Sequence, residues 1–332
     1  MTLYSELVTP TNDASIDVAA QKPAPSGRIP LNTLAIAFGL TGLAEVWAVG
    51  TTALALPLGI SVAFWVVAAI SWGWLIVAHT VRGAPTTEPL RHQLRHPVQG
   101  PIAALAPIVG MLLAASLHPY FPVASMVLVV GFIAIAALFA GWLISTWTTG
   151  TLTVDSIHGG YFLPTVAGGF IAATTAAEVG LTWFAIGAFV VGAFFWVVMT
   201  PVILTRLMLR PALPDALIPT LAIFVAPPAV AGTAWSLIDP VAGSIEYGLA
   251  ALTVLMLLVQ LALLPRYLKL DFSLGFWSFT FTFAAVGAYG IQWLVRLEPV
   301  GWRPGVAAIV VAITVLVAGV GFRSIRQYWG AS

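Results

Sequence analysis

The sequence contains no cysteine, and only 8% of its 332 residues are charged. Without cysteine it can form no disulfide framework, thiolate zinc centre or cysteine nucleophile. Soluble globular domains carry about 25% charge, so the scarcity of charge excludes an ordinary soluble domain. The net charge of +1 supplies no basic patch for nucleic acid. There is also no GxSxG elbow, HExxH pair or paired-Asp signature, so no enzyme chemistry, cofactor or metal is expected. What remains is apolar: 60% hydrophobic residues and a mean hydropathy of +1.01 describe an all-α polytopic membrane protein.

A span needs about 20 mostly apolar residues. On that basis the chain divides into ten, at 30–50, 56–79, 101–118, 122–146, 162–179, 181–205, 216–237, 245–264, 272–294 and 304–322. Short linkers make consecutive spans antiparallel hairpins. The first 28 residues are polar and lack an apolar core, so they read as a disordered cytoplasmic tail, not a cleavable signal. Residues 29–325 form the transmembrane domain and 326–332 a short second tail. Of the 13 Lys and Arg residues, eleven fall on the side that holds the N-terminus. Only Arg296 and Arg303 fall on the other, so both termini are expected in the cytoplasm of a bacterial inner membrane.

Proline and glycine mark alternate spans. Pro107, Pro164 and the Ala226-Pro227-Pro228 triplet lie well inside apolar runs, and Gly39 and Gly42 hold a similar place in the first. A carbonyl orphaned in hydrocarbon must find a partner, so broken helices survive only where protein or a water-filled cavity covers them. The marked spans recur every 55 to 70 residues or so, which indicates five repeats. Each repeat would pair a kinked inner helix with a straight outer one, the inner helices lining a central passage. Prolines of the outer spans (Pro57, Pro122, Pro201, Pro304) stand mainly at their ends.

With these residues in view, the chain resembles the TehA-like family. That family comprises tellurite-resistance and C4-dicarboxylate transporters, fungal sulfite pumps and the slow anion channels of plant guard cells. The most specific stretch is Pro219-Thr220-Leu221-Ala222-Ile223-Phe224-Val225-Ala226-Pro227-Pro228. Phe38-Gly39-Leu40-Thr41-Gly42-Leu43, Arg95-His96-Pro97 and Phe276-Trp277-Ser278-Phe279-Thr280-Phe281 support it. The resemblance implies ten helices in five hairpins around a central pore, a trimeric assembly, and a phenylalanine of the ninth helix plugging the pore. By position that residue is Phe281, with Phe279 and Phe283 as alternatives. Ala37 and Thr282 stand where some members have proline.

No Lys or Arg lies inside any expected span, so half-helix N-termini and hydroxyls would have to attract the anion. Thr174, Thr175, Thr220, Thr233, Thr280 and Thr282 are the candidate hydroxyls, and the competing reading of each is a back-bond to its own helix. Phe281 competes with plain packing in a Phe-rich segment. Glu45 stands about 7 Å to the exterior of mid-span at 1.5 Å per residue. An ionised carboxylate there would repel anions and is costly in lipid, so it is either neutral and hydrogen-bonded or a proton-coupling site. Glu178 would share its vestibule or be a solvated helix end. The loop 88–96 mixes Arg91, His92, Arg95 and His96 with apolar residues and suits an interface with anionic headgroups. Its two histidines lack a third ligand. His118 and His158 stand singly beside spans. The leading reading is a channel for small anions; the alternative is a proton-coupled carrier of C4-dicarboxylate, sulfite or tellurium oxyanions.

Overall fold

The computed structural model describes residues 28–86, 89–150 and 152–330; most of the expected N-terminal tail lies outside them. The described residues form eleven α-helices and no strand. These are α1 (Leu34–Leu54), α2 (Gly59–Gly83), α3 (Leu90–Arg95), α4 (Leu105–Ser116), α5 (Pro122–Thr148), α6 (Gly168–Glu178), α7 (Thr182–Leu209), α8 (Ala226–Ile238), α9 (Ser244–Tyr267), α10 (Trp277–Leu297) and α11 (Trp302–Gly330). Helix α11 continues through residues expected in the C-terminal tail, since nothing in its sequence from Arg326 to Gly330 breaks a helix.

Among the described residues, eight segments are long and apolar enough to cross a membrane: Leu31–Leu54, Gly59–Gly83, Pro122–Thr148, Thr182–Leu209, Asp215–Ile238, Ser244–Tyr267, Leu274–Leu297 and Trp302–Gln327. The expected third and fifth spans are not single long helices. The third is the shorter apolar helix Gly100–Ser116. The fifth is assembled from a 3-10 turn (Gly159–Phe162), a π turn (Leu163–Ala167) and α6. Gly159, Gly160 and Pro164 interrupt the regular ladder there, because each glycine weakens it and the proline withholds a donor.

Burial separates two kinds of helix. More than half of the apolar window is buried in Leu31–Leu54 (56%), Asp215–Ile238 (61%) and Leu274–Leu297 (61%), against 11–28% in α2, α5, α7, α9 and α11. The latter expose large side chains such as Val123, Leu138 and Trp183, a surface that suits lipid and not water. Helix α1 packs on α4, α4 on α6, α6 on α8, α8 on α10, and α10 returns to α1, which closes a ring. Against it lie α2 on α1, α5 on α4, α7 on α6, α9 on α8 and α11 on α10.

Each ring helix begins with irregular backbone: 3-10 turns at Leu31–Thr33, Gly100–Ala104, Asp215–Val225 and Leu274–Phe276 precede α1, α4, α8 and α10. The 3-10 and π turns of residues 159–167 precede α6. Pro107, Pro164, Pro227 and Pro228 are all buried at these transitions. The flanking helices supply partners for carbonyls near the breaks. Gln260 of α9 donates to the Leu221 carbonyl at 3.1 Å and is held by the Tyr267 hydroxyl at 2.7 Å. The indole of Trp72 on α2 donates to the Ala106 carbonyl at 3.0 Å. Such partners are what hydrocarbon demands of an interrupted helix.

The first helix departs from expectation. α1 is continuous from Leu34 to Leu54, so Gly39 and Gly42 do not break it. They are contact glycines. A Cβ on Gly39 would collide with the side chains of Thr280 and Trp277, and one on Gly42 would meet the Ala284 Cβ at 2.9 Å. Their role is to let α10 lie close against α1. Helix α7 likewise runs through Pro201 to Leu209, so that proline lies inside the helix and not at its end.

Candidate functional site

Inside the ring is a cavity of about 250 Å³. Its wall includes Asn32 and Ala35 at the start of α1, Leu105 of α4, Ala167 and Phe170 of α6, Ala226 and Pro227 of α8, and Trp277 and Ser278 of α10. These positions stand in or next to the first turns of all five ring helices. Each helix carries the equivalent of about half a positive charge toward its N-terminus, although the N–H groups of Leu34, Leu105, Gly168, Ala226 and Trp277 are already bonded to carbonyls of the preceding turns. The N-terminal ends of the five ring helices surround the cavity. His158 is the sole titratable residue on the wall, which otherwise offers the polar side chains of Asn32, Gln99, Thr220, Ser273, Ser278 and Thr282.

One boundary is aromatic. Phe281 of α10 stacks on Phe38 of α1 with ring centroids 3.6 Å apart and planes at 14°, and both rings are buried and line the cavity. Phe279 and Phe283 do not line it. Phe279 packs edge-on to Tyr267 and beside Phe276 and Phe283, away from the ring centre. Of the three expected phenylalanines only Phe281 faces the cavity. Its partner Phe38 was visible in sequence only as part of a family stretch, because a ring stack between residues 243 positions apart leaves no local signal.

The hydroxyls divide. Thr220 and Thr282 line the cavity, whereas Thr174 and Thr280 are buried elsewhere. Thr174 donates to the Phe170 carbonyl at 3.0 Å, Thr220 to Leu217 at 2.6 Å and Thr280 to Trp277 at 2.7 Å. These are the back-bonds that compete with a ligand role. Pro227 touches the cavity; Pro107, Pro164, Pro228, Gly39 and Gly42 act from behind it.

His158, which stands singly beside a span in the sequence, is fully buried in the cavity wall. Its Nδ1 accepts from the Gly160 N–H at 3.1 Å, and Nε2 lies 3.3 Å from the Val98 carbonyl. Burial lowers its pKa to about 4, with the positive charge of Arg206 adding to the effect and the Val98 contact opposing it. The imidazole is therefore neutral at physiological pH. Arg206 itself is buried and donates to the carbonyls of Pro211 and Asp155, so its charge is held beside the cavity and not in its wall.

Glu45 does not line the cavity. It stands two turns of α1 beyond Phe38, is half-buried, and has no side-chain hydrogen bond among the described residues. The hydrogen-bonded reading of Glu45 finds no partner among the described residues, and Glu178 stands exposed at the end of α6. His96 accepts the N–H groups of Val98 and Gln99 on Nδ1 at 3.2 and 3.3 Å, which makes it a turn cap.

Comparison with known proteins now bears on this geometry. The voltage-dependent anion channel family (SLAC1) matches residues 28–324. The chain belongs to this family. A tellurite resistance protein TehA homolog of Haemophilus influenzae is 27% identical over 271 residues, covering 80% of each chain. The S-type anion channel SLAH3 of Arabidopsis thaliana is 24% identical over 269 residues, covering 76% of this chain and 41% of the relative. SLAH2 of the same plant is 30% identical over 131 residues, 39% of this chain and 25% of the relative. The chain therefore spans less than half the length of these plant relatives. As a SLAC1-family protein it is an integral membrane protein of channel and transporter type, and the matched range takes in all five ring helices and the cavity between them.

Proposed function

We propose that this SLAC1-family chain is a passive anion pathway, built of ten crossings in five antiparallel pairs around a central pore that carries small monovalent anions. The observation that carries the proposal is the arrangement of five helix N-terminal ends around one cavity whose wall, among the described residues, holds no carboxylate, lysine or arginine. Partial charges attract an anion without holding it as a fixed cation would, and conduction needs an ion that leaves as readily as it enters. Phe281, stacked on Phe38, is the plug. A closed aromatic constriction removes water and raises an electrostatic barrier to any ion. In this reading both termini are cytoplasmic, the cavity opens to the cytoplasm, and three copies assemble through their outer faces. The names of the plant relatives, S-type anion channels, support the choice of cargo.

A second reading rests on Glu45. A carboxylate within a span is the kind of group that a proton-coupled carrier of C4-dicarboxylate, sulfite or tellurium oxyanions would protonate and release. The position of Glu45 outside the cavity wall weighs against it. The test is a planar-bilayer recording of purified protein under a chloride or nitrate gradient. Current that reverses at the anion equilibrium potential, and is unchanged in Glu45→Gln, supports the channel. A silent bilayer, together with pH-driven oxyanion uptake that Glu45→Gln abolishes, transfers the assignment to the carrier.

A further inference from the structure

A second recess, of about 420 Å³, lies outside the ring between the loop that follows α2 and the end of α5. Leu94, Arg95 and Pro97 form one wall; Trp142, Thr146 and Trp147 of α5 form the other. Among the described residues, no acidic side chain lines it. Arg95 is exposed and makes no ion pair among the described residues. Thr146, Ser145 and Thr149 spend their hydroxyl protons on α5 carbonyls at 2.6–2.7 Å. The guanidinium and the two indoles are therefore the side-chain donors best placed to meet a ligand.

The position identifies the ligand. Helix α5 exposes apolar side chains along its length, such as Val127 and Leu138, and Trp142 and Trp147 come at its end, where indoles mark the boundary between hydrocarbon and headgroups. Helix α3, which carries Arg91 and Arg95, has no buried residue and so lies on the surface at that level. A cation, interfacial indoles and an apolar helix leading away into the membrane are together complementary to a phosphodiester with acyl chains. We infer that this recess binds the headgroup of an anionic phospholipid. Arg95 pairs with the phosphate, the indoles contact the glycerol esters and the chains run along α5.

The same stretch of chain forms the mouth of the central cavity. Val98 and Gln99 line the cavity while Arg95, His96 and Pro97 line the recess. Tyr161, on the recess wall, donates its hydroxyl to the Pro97 carbonyl at 2.9 Å. A lipid in the recess would thus brace the five-residue segment that separates it from the cavity. The lipid site itself does not depend on the anion-pathway reading, because it is tested by binding.

The experiment is native mass spectrometry of the purified full chain with equal amounts of phosphatidylglycerol and phosphatidylcholine. Wild type is expected to retain phosphatidylglycerol preferentially. A charge-assisted hydrogen bond is worth enough that Arg95→Gln should lower this preference about tenfold or more, and Arg95→Lys should keep part of it. Arg91→Gln removes the same charge outside the recess and should leave the preference intact. Equal retention of the two lipids by wild type, or equal losses in Arg91→Gln and Arg95→Gln, would overturn the site in favour of general surface attraction. Displacement of the lipid by millimolar inorganic phosphate would overturn the lipid in favour of free phosphate. Melting temperatures of the variants, measured alongside, separate loss of lipid from loss of fold.

Discussion

Removing the ring of Phe281 is the sharpest test of how the cavity is closed. The ring lies 3.6 Å from that of Phe38, centroid to centroid. Gly42 behind it leaves so little room that a Cβ there would sit 3.1 Å from Phe281. The ring also lines the 250 Å³ cavity, the space into which it moves once the stack breaks. An aromatic pair is worth about 0.5–1.5 kcal/mol beyond area burial, which converts to about a 2- to 13-fold change in population. Phe38→Ala should raise anion current by about that factor, since it loosens the plug but leaves it in place. Phe281→Ala should raise the current further, because the occluding ring itself is gone. The double variant should match Phe281→Ala alone, since Phe38 acts only through Phe281; coupled residues show this non-additivity. The assay is macroscopic current in planar bilayers at matched protein density. A core Phe→Ala change costs about 3–5 kcal/mol, so melting temperature and monodispersity must accompany each recording. Intact Phe281→Ala protein with wild-type current would refute the plug, and additive effects in the double variant would refute the coupling.

The remaining predictions concern packing and pH. Gly39→Ala should lower the melting temperature in detergent by forcing α1 away from Thr280 and Trp277, an overpacking cost of about 1–3 kcal/mol; Gly73→Ala on α2, where an added Cβ meets nothing within 4 Å, should not. His158 has a folded pKa of about 4, below its ordinary 6.5, so the unfolded chain binds its proton first as the pH drops. Stability should be fully present above pH 6.5 and fall between 6.5 and 4, by roughly 1.4 kcal/mol per pH unit where only the unfolded state is protonated. His158→Asn should flatten that slope in thermal melts from pH 7.5 to 4.5, and an unchanged slope would remove His158 as its source. Glu45→Gln should leave passive anion flux at the wild-type level, as measured by bilayer current, because Glu45 stands outside the cavity wall.

Composition and punctuation made much of this protein legible. Scarce charge and long apolar runs are one-dimensional properties, so the all-helical membrane class followed from them directly. The buried prolines also marked where the ring helices are interrupted, because a missing N–H disrupts the ladder wherever it occurs. What glycine means depends on its neighbours. Gly39 and Gly42 look in sequence like weak points of a helix, yet α1 is continuous there because α10 presses against both. The apolar run expected as the fifth span, 162–179, is not one regular helix but is built from 3-10, π and α pieces, a difference that length does not reveal.

The ring itself was decided in three dimensions. Gln260 and Trp72 are polar groups on outward helices, and nothing local says that their partners are the Leu221 and Ala106 carbonyls. Phe281 was singled out over Phe279 and Phe283 only by its place in the family stretch, since residues two apart on a helix face different ways and only packing fixes which way is inward. The stack of Phe38 on Phe281 and the burial of His158 join residues brought together by closure of the ring. Sequence alone determined that the chain is membrane-embedded, helical and regularly interrupted. The tertiary structure decided which interruptions meet around the cavity, because helix N-termini and facing rings act through distance and direction.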